Sequence, residues 1–253
     1  MVTHRALRVW RRNFTVYRTY YKASLVGNIG DPLLYLFAMG YGIGTYLKIM
    51  EGMPYIDFIA PGLIVTSVMY SAVFECTFGS FTRMTTQRTF DSILATPVSI
   101  EDLVFGEILW GMTKSVISAT VMILIMILFG LYTPSFGFIG IVFTVGATGI
   151  LFASAALCFS AIAPSYDFFS YFFTLFIAPM FFLSGVFFPL DRFPEIVQWL
   201  SQALPATHSV LLMRYFFHGA TQEGFIVAVT FILLMDVALA MLAVRLVRKR
   251  LII

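Results

Sequence analysis

The sequence predicts an all-α membrane protein with six transmembrane helices in a single membrane domain. Composition is the first indication, because 60% of the 253 residues are hydrophobic and only 11% are charged, against about 25% charged residues in soluble proteins. The second is the arrangement of the apolar residues in six long runs, bounded by turn-forming or charged residues. Six spans of about 20 residues use roughly half of the chain, which leaves short loops and no soluble catalytic domain.

An N-terminal interface helix is predicted before the first span, and we assign residues 1–30 to it. Aromatic and basic side chains alternate there at helical spacing, which is typical of an amphipathic helix on the anionic cytoplasmic leaflet. The apolar stripe is Leu7, Trp10, Phe14, Tyr17 and Tyr21. The basic residues between are Arg5, Arg8, Arg11, Arg12, Arg18 and Lys22. We expect the aromatic side to face lipid, and packing of the stripe on the protein itself is the alternative. The interface residues are Trp10, Arg11, Arg12 and Phe14.

The first three spans are predicted from apolar runs and capping signals. Asp31-Pro32 is a capping residue followed by a first-turn proline, so we expect the first span to begin there. Ser99 and Asp102 have capping-box spacing, which predicts the start of the third. The three runs are residues 33–47, 58–81 and 103–131.

Three further apolar runs complete the count, and prolines divide the region between the fifth and the sixth. The runs are residues 136–163, 168–188 and 225–242. Prolines separate two short helical patterns, residues 196–204 and 209–217, and neither is long enough to cross a bilayer. We therefore predict an outward re-entrant hairpin over about residues 189–218. The residues that introduce it are Ser184, Gly185, Phe187, Phe188 and Pro189.

The basic residues predict the orientation, since cytoplasmic loops carry an excess of lysine and arginine. The N-terminal segment, the loop at residues 82–102 and the C-terminal tail lie on one side and hold most of these residues. Both termini are therefore expected in the cytoplasm. The opposite side has only Lys48, Arg192 and Arg214.

The sequence lacks the motifs of an enzyme and of a nucleotide or metal site. It has no glycine-rich phosphate loop with lysine, no His-Glu-x-x-His pair and no nucleophile elbow. His4, His208 and His218 are isolated, and Cys76 and Cys158 lie within apolar runs, so we expect neither a metal site nor a disulfide. The net charge of +3 is too small to indicate nucleic-acid binding.

The loop between the second and third spans contains a predicted docking helix over about residues 83–97. Its apolar side chains fall on one helical face, and its polar side chains remain for solvent or a partner protein. The residues assigned to it are Arg83, Gln87, Arg88, Thr89, Phe90, Asp91, Ile93 and Leu94. An ordinary solvated connector is the alternative interpretation.

Four charged residues fall within the predicted spans, where each is expected to face the protein interior or to pair with an opposite charge. They are Glu75, Glu107, Lys114 and Asp236. Glu75 and Lys114 lie at similar depths, about two to three turns from the cytoplasmic ends of their spans, so we predict that they pair. Such a pair either braces two helices or lines a transport route.

Six short motifs are the most specific features of the chain. They are Trp10-Arg11-Arg12-Asn13, Gly27-Asn28-Ile29-Gly30-Asp31-Pro32, Gln87-Arg88-Thr89-Phe90, Gly106-Glu107, Ala163-Pro164-Ser165-Tyr166-Asp167 and Phe182-Leu183-Ser184-Gly185-Val186-Phe187-Phe188-Pro189. On these motifs the chain resembles the type-2 ABC transporter permeases (ABC-2 type) nearly from end to end. Within them it is most similar to the NodJ-type permeases of lipo-oligosaccharide export.

The resemblance implies a homodimer of six-span subunits joined to two separate ABC ATPase subunits, which bind ATP and Mg. It implies that the first helix is an interface helix, that Gln87 to Leu94 form a coupling helix, and that the hairpin is an outward re-entrant pair. The chain itself is then expected to hold no cofactor and not to be an enzyme.

The leading hypothesis is a permease that exports a lipo-oligosaccharide or another amphipathic glycoconjugate across the bacterial inner membrane, in contact with membrane lipid and with no nucleic acid. Efflux of drugs or small amphiphiles by the same kind of permease is the alternative. A membrane-embedded enzyme acting on lipids is the third hypothesis. It would need grouped acidic or histidine residues near one interface, and the sequence has no convincing group.

Overall fold

The computed structural model describes residues 3–47, 49–219 and 224–251, and it leaves out the side chains of residues 23, 25–29, 31 and 32. Lys48, which the sequence places with the outward basic residues, lies outside the described residues. The same holds for the side chains of most of the motif at residues 27–32.

The described chain is almost entirely helical. Its first half contains α1 (Arg5–Tyr35), which continues as a π-helical segment (Leu36–Gly42) and a 3₁₀ turn (Ile43–Thr45), and then α2 (Tyr55–Phe74), a π-helical segment (Glu75–Gly79), α3 (Ser80–Met84), α4 (Thr89–Leu94) and α5 (Ile100–Leu128). Its second half contains α6 (Phe138–Ile162), α7 (Phe168–Phe172), a π-helical segment (Phe173–Ile177), α8 (Ala178–Leu183), a 3₁₀ turn (Leu190–Arg192), α9 (Glu195–Ala203), α10 (Pro205–His218) and α11 (Phe225–Leu251). Two short strands, β1 (Ile49–Met50) and β2 (Met53–Pro54), pair antiparallel with Met50 opposite Met53.

Within the described residues, four helices are long and apolar enough to cross a membrane. They are Tyr55–Met84, Ile100–Leu128, Phe138–Ile162 and Phe225–Leu251, and they correspond to the predicted second, third, fourth and sixth spans. The regions predicted as the first and fifth spans form shorter apolar helices, Leu33–Thr45 and Phe168–Leu183. The predicted all-helical class is therefore confirmed, with four clear candidate spans.

The first helix corrects one prediction. α1 runs without interruption from Arg5 to Tyr35, so no helix begins at Asp31-Pro32. A capping residue acts where the first backbone N–H groups of a helix have no carbonyl four residues earlier. Residues 27–30 are already helical, so those carbonyls are present and the capping pattern is misleading.

α1 packs along α5, and its buried face differs from the predicted stripe. Among the side chains of α1 that the structure describes, the buried ones are Ala6, Val9, Asn13 and Tyr17. Trp10 donates from Nε1 to Thr113 Oγ1 at 2.8 Å, and the Tyr17 ring lies edge-on to Trp110 with centroids 5.4 Å apart. Leu7 and Tyr21 are exposed. Trp10 and Tyr17 of the predicted stripe therefore pack on the protein itself, as the alternative interpretation has it.

α2 is the central helix of the bundle. It packs against α5, α6 and α10, and almost every residue from Phe58 to Val73 is buried. α6 packs between α5 and α11, and α11 buries only one face. This arrangement brings the end of α2, where Glu75 lies, between α1 and α5.

The structure contains the predicted helix start after Ser99 and the two predicted short helices of the hairpin region. Ser99 Oγ accepts from the Asp102 backbone N–H at 3.1 Å, and Asp102 Oδ2 accepts from the Ser99 backbone N–H at 3.4 Å, so the capping box is confirmed. The two short helices are present as α9 and α10. Both begin earlier than predicted: α9 begins directly after Pro194, and α10 begins at Pro205. Proline is favoured at the first position of a helix.

Candidate functional site

Arg83 is the centre of a buried network of charges. Its Nη1 lies 2.9 Å from Glu75 Oε1 and its Nη2 lies 2.7 Å from Glu107 Oε2. The Arg83 side chain is 12% exposed, and those of Glu75 and Glu107 are 9% and 0% exposed. The prediction that Arg83 faces solvent or a partner is therefore wrong, because two buried carboxylates hold the guanidinium inside.

Gly79 allows the bond between Glu75 and Arg83 to run along the helix surface. Residues four apart lie on one helical face, so a side chain at position 79 would stand between those at 75 and 83. A Cβ at Gly79 would lie 2.8 Å from Glu75 Oε1 and 3.3 Å from Arg83 Nη1. The missing side chain therefore provides the space in which the ion pair forms.

Glu107, on α5, accepts hydrogen bonds from two other helices. Its Oε1 accepts from Asn13 Nδ2 of α1 at 2.7 Å, and its Oε2 accepts from Ser80 Oγ of α3 at 2.7 Å. Arg83 Nε and Nη2 also donate to Oε2. A buried carboxylate is stable only when such partners replace its lost hydration, so Glu107 fixes α1, α3 and α5 to one another.

Lys114 lies beside this network, and its predicted pairing with Glu75 is present as a loose contact. Lys114 Nζ is 3.9 Å from Glu75 Oε2, which is beyond hydrogen-bond distance. Nζ donates to Ser24 Oγ and lies 4.5 Å from the centre of the Tyr17 ring. The stronger partner of Glu75 is thus Arg83, which the sequence prediction missed.

Asp236, the fourth charged residue of the predicted spans, is separate from this network. It lies on α11 and is buried, as expected of a charge at membrane depth. Among the described residues, none forms a hydrogen bond with its Oδ1. The structure therefore brings together three of the four predicted charges and leaves Asp236 elsewhere.

The predicted docking helix is shorter than expected. Its helical part is α4, Thr89–Leu94, and Arg88 just before it has a left-handed backbone with φ of 49°. Phe90 is 1% exposed, whereas Gln87, Arg88 and Asp91 are exposed. The amphipathic pattern is therefore confirmed, but residues 83–97 do not form one helix.

Phe90 anchors α4 to the bundle through a second, smaller core. Partly buried Ile93 and Leu94 pack against it. The buried members of this core are Val9, Phe81, Met84, Phe90, Leu103, Ala163 and Phe169. It joins α1, α3, α4, α5 and α7, so α4 is attached to most of the elements at this end of the molecule.

The motif around Tyr166 closes the same region. Tyr166 OH lies 2.7 Å from Thr82 Oγ1 and 3.2 Å from Thr86 Oγ1, and its ring lies 4.9 Å from that of Phe81. The loop between α6 and α7 therefore holds the chain that connects α3 to α4.

A groove of about 640 Å³ separates α1 from α4 and the residues that follow it. Arg5, Arg8 and Arg12 line one side, and none of the described lining residues is acidic. Arg12 Nη2 lies 3.5 Å from Thr89 Oγ1, and Arg5 donates to the Pro97 carbonyl. Burial lowers the pKa of Arg12, and the positive charge of Arg83 lowers that pKa further. The negative charge of an acidic group placed in this groove would raise the pKa of Arg12 and so oppose both effects.

Arg214, on α10, links that helix to α2 and to the turn at Gly185. Its Nη2 donates to the Gly185 carbonyl at 2.6 Å, and its guanidinium carbon lies 3.9 Å from the centre of the Phe58 ring. Gly185 has φ of 77°, a conformation that favours glycine. Ser184 and Phe187 are buried and Phe188 is exposed, so this motif turns sharply at Gly185 before Pro189.

Residues 5–218 match the family model of the ABC-2 type transporters. The chain belongs to this family. Two ABC-2 relatives are called nodulation protein J: that of Sinorhizobium fredii is 41% identical over 207 residues, and that of Rhizobium meliloti is 39% identical over 206. Each match covers 81% of this chain and 78% of the relative.

A more distant relative is the inner membrane transport permease YadH of Escherichia coli. It is 28% identical over 219 residues, which is 85% of this chain and 79% of the relative. The resemblance seen in the motifs is therefore confirmed, and the chain is an ABC-2 type permease, a membrane subunit of a transporter.

Proposed function

We propose that this chain is the membrane-spanning subunit of an ATP-driven exporter that moves a lipo-oligosaccharide, or another amphipathic glycoconjugate, outward across the bacterial inner membrane. The observation that carries the proposal is α4, a helix fixed to the bundle by buried Phe90 with its polar side open beside a basic groove. Membership of the ABC-2 family supports the transport role. The likeness to nodulation protein J supports the class of cargo.

A movement of α4 can be transmitted to the bundle through two sets of contacts. Phe90 packs with Phe81 of α3 and Leu103 of α5. Arg83, at the end of α3, holds Glu75 and Glu107. Packed interiors move as units rather than deforming smoothly, so a displacement of α4 would act on the ends of α2 and α5 together.

The groove between α1 and α4 is the proposed binding surface for a separate ATPase subunit. Its arginines attract acidic side chains, and Gln87 also lines it. Arg88 and Asp91 are exposed at the start of α4. Because this chain has no phosphate loop, ATP and Mg bind the partner. The assembly is two copies of this chain with two ATPase subunits.

Six crossings and cytoplasmic termini belong to the same proposal. α1 continues directly into the short apolar region Leu33–Thr45, so residues before Leu33 can lengthen that span. Phe168–Leu183 provides the fifth span, with tilt or local thinning of the bilayer compensating for its length. α9 and α10 then form the outward hairpin, since neither is long enough to cross.

Co-purification with an ABC ATPase subunit tests the proposal. We expect the complex to form with the native chain and its ATPase activity to fall several-fold with Phe90→Ala or Asp91→Ala, because both changes affect α4. Phe187→Ala and Asp191→Ala are matched controls, since Phe187 is likewise buried and Asp191 likewise exposed, on the turn before α9. Equal losses in all four variants, or no ATPase partner, would refute the assignment.

A further inference from the structure

Two cavities meet at Glu75 on the surface between α1 and α2. The upper one, of about 280 Å³, is lined by Tyr20, Ser24, Phe74, Phe78, Glu75 and Lys114, among others. The lower one, of about 350 Å³, extends towards Gln87. Both cavities are lined by Tyr20, Glu75 and Phe78. Together they form one seam that leads from Gln87, just before α4, to Lys114 on α5.

The base of the upper cavity is polar and its rim is aromatic. Glu75 and Lys114 are largely buried, whereas Tyr20 and Phe74 are each 43% exposed. Tyr70, Phe74 and Phe78 follow one another at four-residue spacing, and their rings stack with centroids 6.2 Å and 5.8 Å apart. A few polar groups at the base of an otherwise aromatic cavity are typical of a site for a small amphipathic ligand.

The spacing of the two charges suits a hydroxyl group. Lys114 Nζ and Glu75 Oε2 are 3.9 Å apart, too far for a direct hydrogen bond but close enough for one oxygen to lie about 2.8 Å from both. A hydroxyl at that point would donate to the carboxylate and accept from the ammonium.

Glu75 and Lys114 carry opposite charges that offset each other at the base of the upper cavity. The lower cavity is also lined by Arg12 and Arg83, so the electrically neutral part of the seam is the upper cavity. Its volume lies just below the range of about 300–1,000 Å³ typical of drug-sized ligands, which suits one ring better than a whole amphiphile.

We infer that this seam binds the carbohydrate part of the cargo, with a ring hydroxyl between Glu75 and Lys114 and a ring face against Tyr20. This inference rests on the proposed function and deepens it. A lipid tail attached to the sugar would then extend along the exposed rings of α2 rather than into the polar base.

Binding of neutral tetrasaccharides to the full chain tests the inference. The chain is purified in a detergent without sugar headgroups, and calorimetry follows the binding of chitotetraose and of maltotetraose. Tyr20→Ala is compared with Tyr21→Ala, since the two tyrosines are neighbours on α1 with 43% and 44% exposure and only Tyr20 lines the seam. We expect saturable binding of at least one saccharide, a Kd raised about tenfold by Tyr20→Ala, and a change of less than about twofold with Tyr21→Ala.

Lys114→Met and Glu75→Gln should each weaken binding as well, and the double variant should be little worse than either, because both groups hold the same hydroxyl. Equal effects of Tyr20→Ala and Tyr21→Ala, or no binding of either saccharide, would overturn the inference. Binding of glycerol phosphate in place of the neutral saccharides would assign the seam to a phospholipid headgroup instead. Co-purification of an ATPase from the same preparation distinguishes failure of this inference from failure of the exporter proposal. If the complex is intact but no saccharide binds, only the inference fails.

Discussion

Arg83 and Arg214 are both withdrawn from the surface at opposite ends of α2, and they are stabilised in different ways. Arg83 lies between two carboxylates. Arg214 forms no ion pair with any described residue and is held by the Gly185 carbonyl and the face of the Phe58 ring. The end of the molecule that carries α4 therefore depends on full charges that must remain paired. At the end that carries the hairpin, a carbonyl dipole and a ring face hold the arginine. Replacing that arginine leaves no buried charge unpaired and therefore costs less stability.

Arg83→Met should have the largest effect, because it leaves two buried carboxylates without their cation. Removing one partner of a buried ion pair costs about 3–5 kcal/mol. We expect a loss of this size in the free energy of unfolding, measured by denaturant titration from mixed micelles.

A second substitution, at Glu107 or at Glu75, should restore part of the stability that Arg83→Met loses. After Arg83 is lost, Glu75 still has Lys114 at 3.9 Å, whereas the donors to Glu107 that remain among the described residues are the neutral Asn13 and Ser80. Glu107→Gln should therefore restore more of the stability of Arg83→Met than Glu75→Gln does. The reverse order would show that Glu75 carries the greater uncompensated charge.

Arg214→Met should be less damaging, because no buried carboxylate is left behind. Hydrogen bonds from charged groups contribute about 1.5–3 kcal/mol, and we expect a loss within this range in the same titration. Arg192→Met is the control, since Arg192 is exposed in the 3₁₀ turn before α9 and its replacement should have almost no effect. A loss as large as that of Arg83→Met would remove the distinction between the two arginines.

Gly79→Ala should have the smallest of the three effects. Its Cβ would lie 2.8 Å from Glu75 Oε1, so the ion pair must shift, at a cost of about 1–2 kcal/mol. Gly146→Ala on α6 is the matched control, because nothing lies within 4 Å of its added Cβ. If both variants have equal stability, Gly79 does not provide the space for the Glu75–Arg83 bond.

The helices and the inward face of α4 could be predicted from local patterns. The capping box at Ser99 and Asp102 is present, and the prolines mark the starts of α9 and α10. Phe90 turns inward, as the amphipathic pattern predicts. Each of these features depends on residues within one or two turns, where hydrogen bonds and periodicity act directly.

The position of Arg83 could not be predicted in the same way. The loop around it is polar, so the pattern assigns its charge to solvent. One local pattern could have indicated it. Glu75, Gly79 and Arg83 are spaced four residues apart, which places them on one face of a helix that continues beyond the predicted span. The groove and the Arg214 contact leave no such pattern, since they join residues far apart in sequence.

The sequence alone determined that the chain is helical, that it is built for lipid, and where most of its helices begin and end, because these properties follow from local composition and backbone hydrogen bonding. Only the tertiary structure decided which charges are neutralised and by what. Asn13 and Glu107 are 94 positions apart, and whether a buried carboxylate meets an arginine depends on how helices dock. That choice is set by packing across the whole bundle rather than by any one segment.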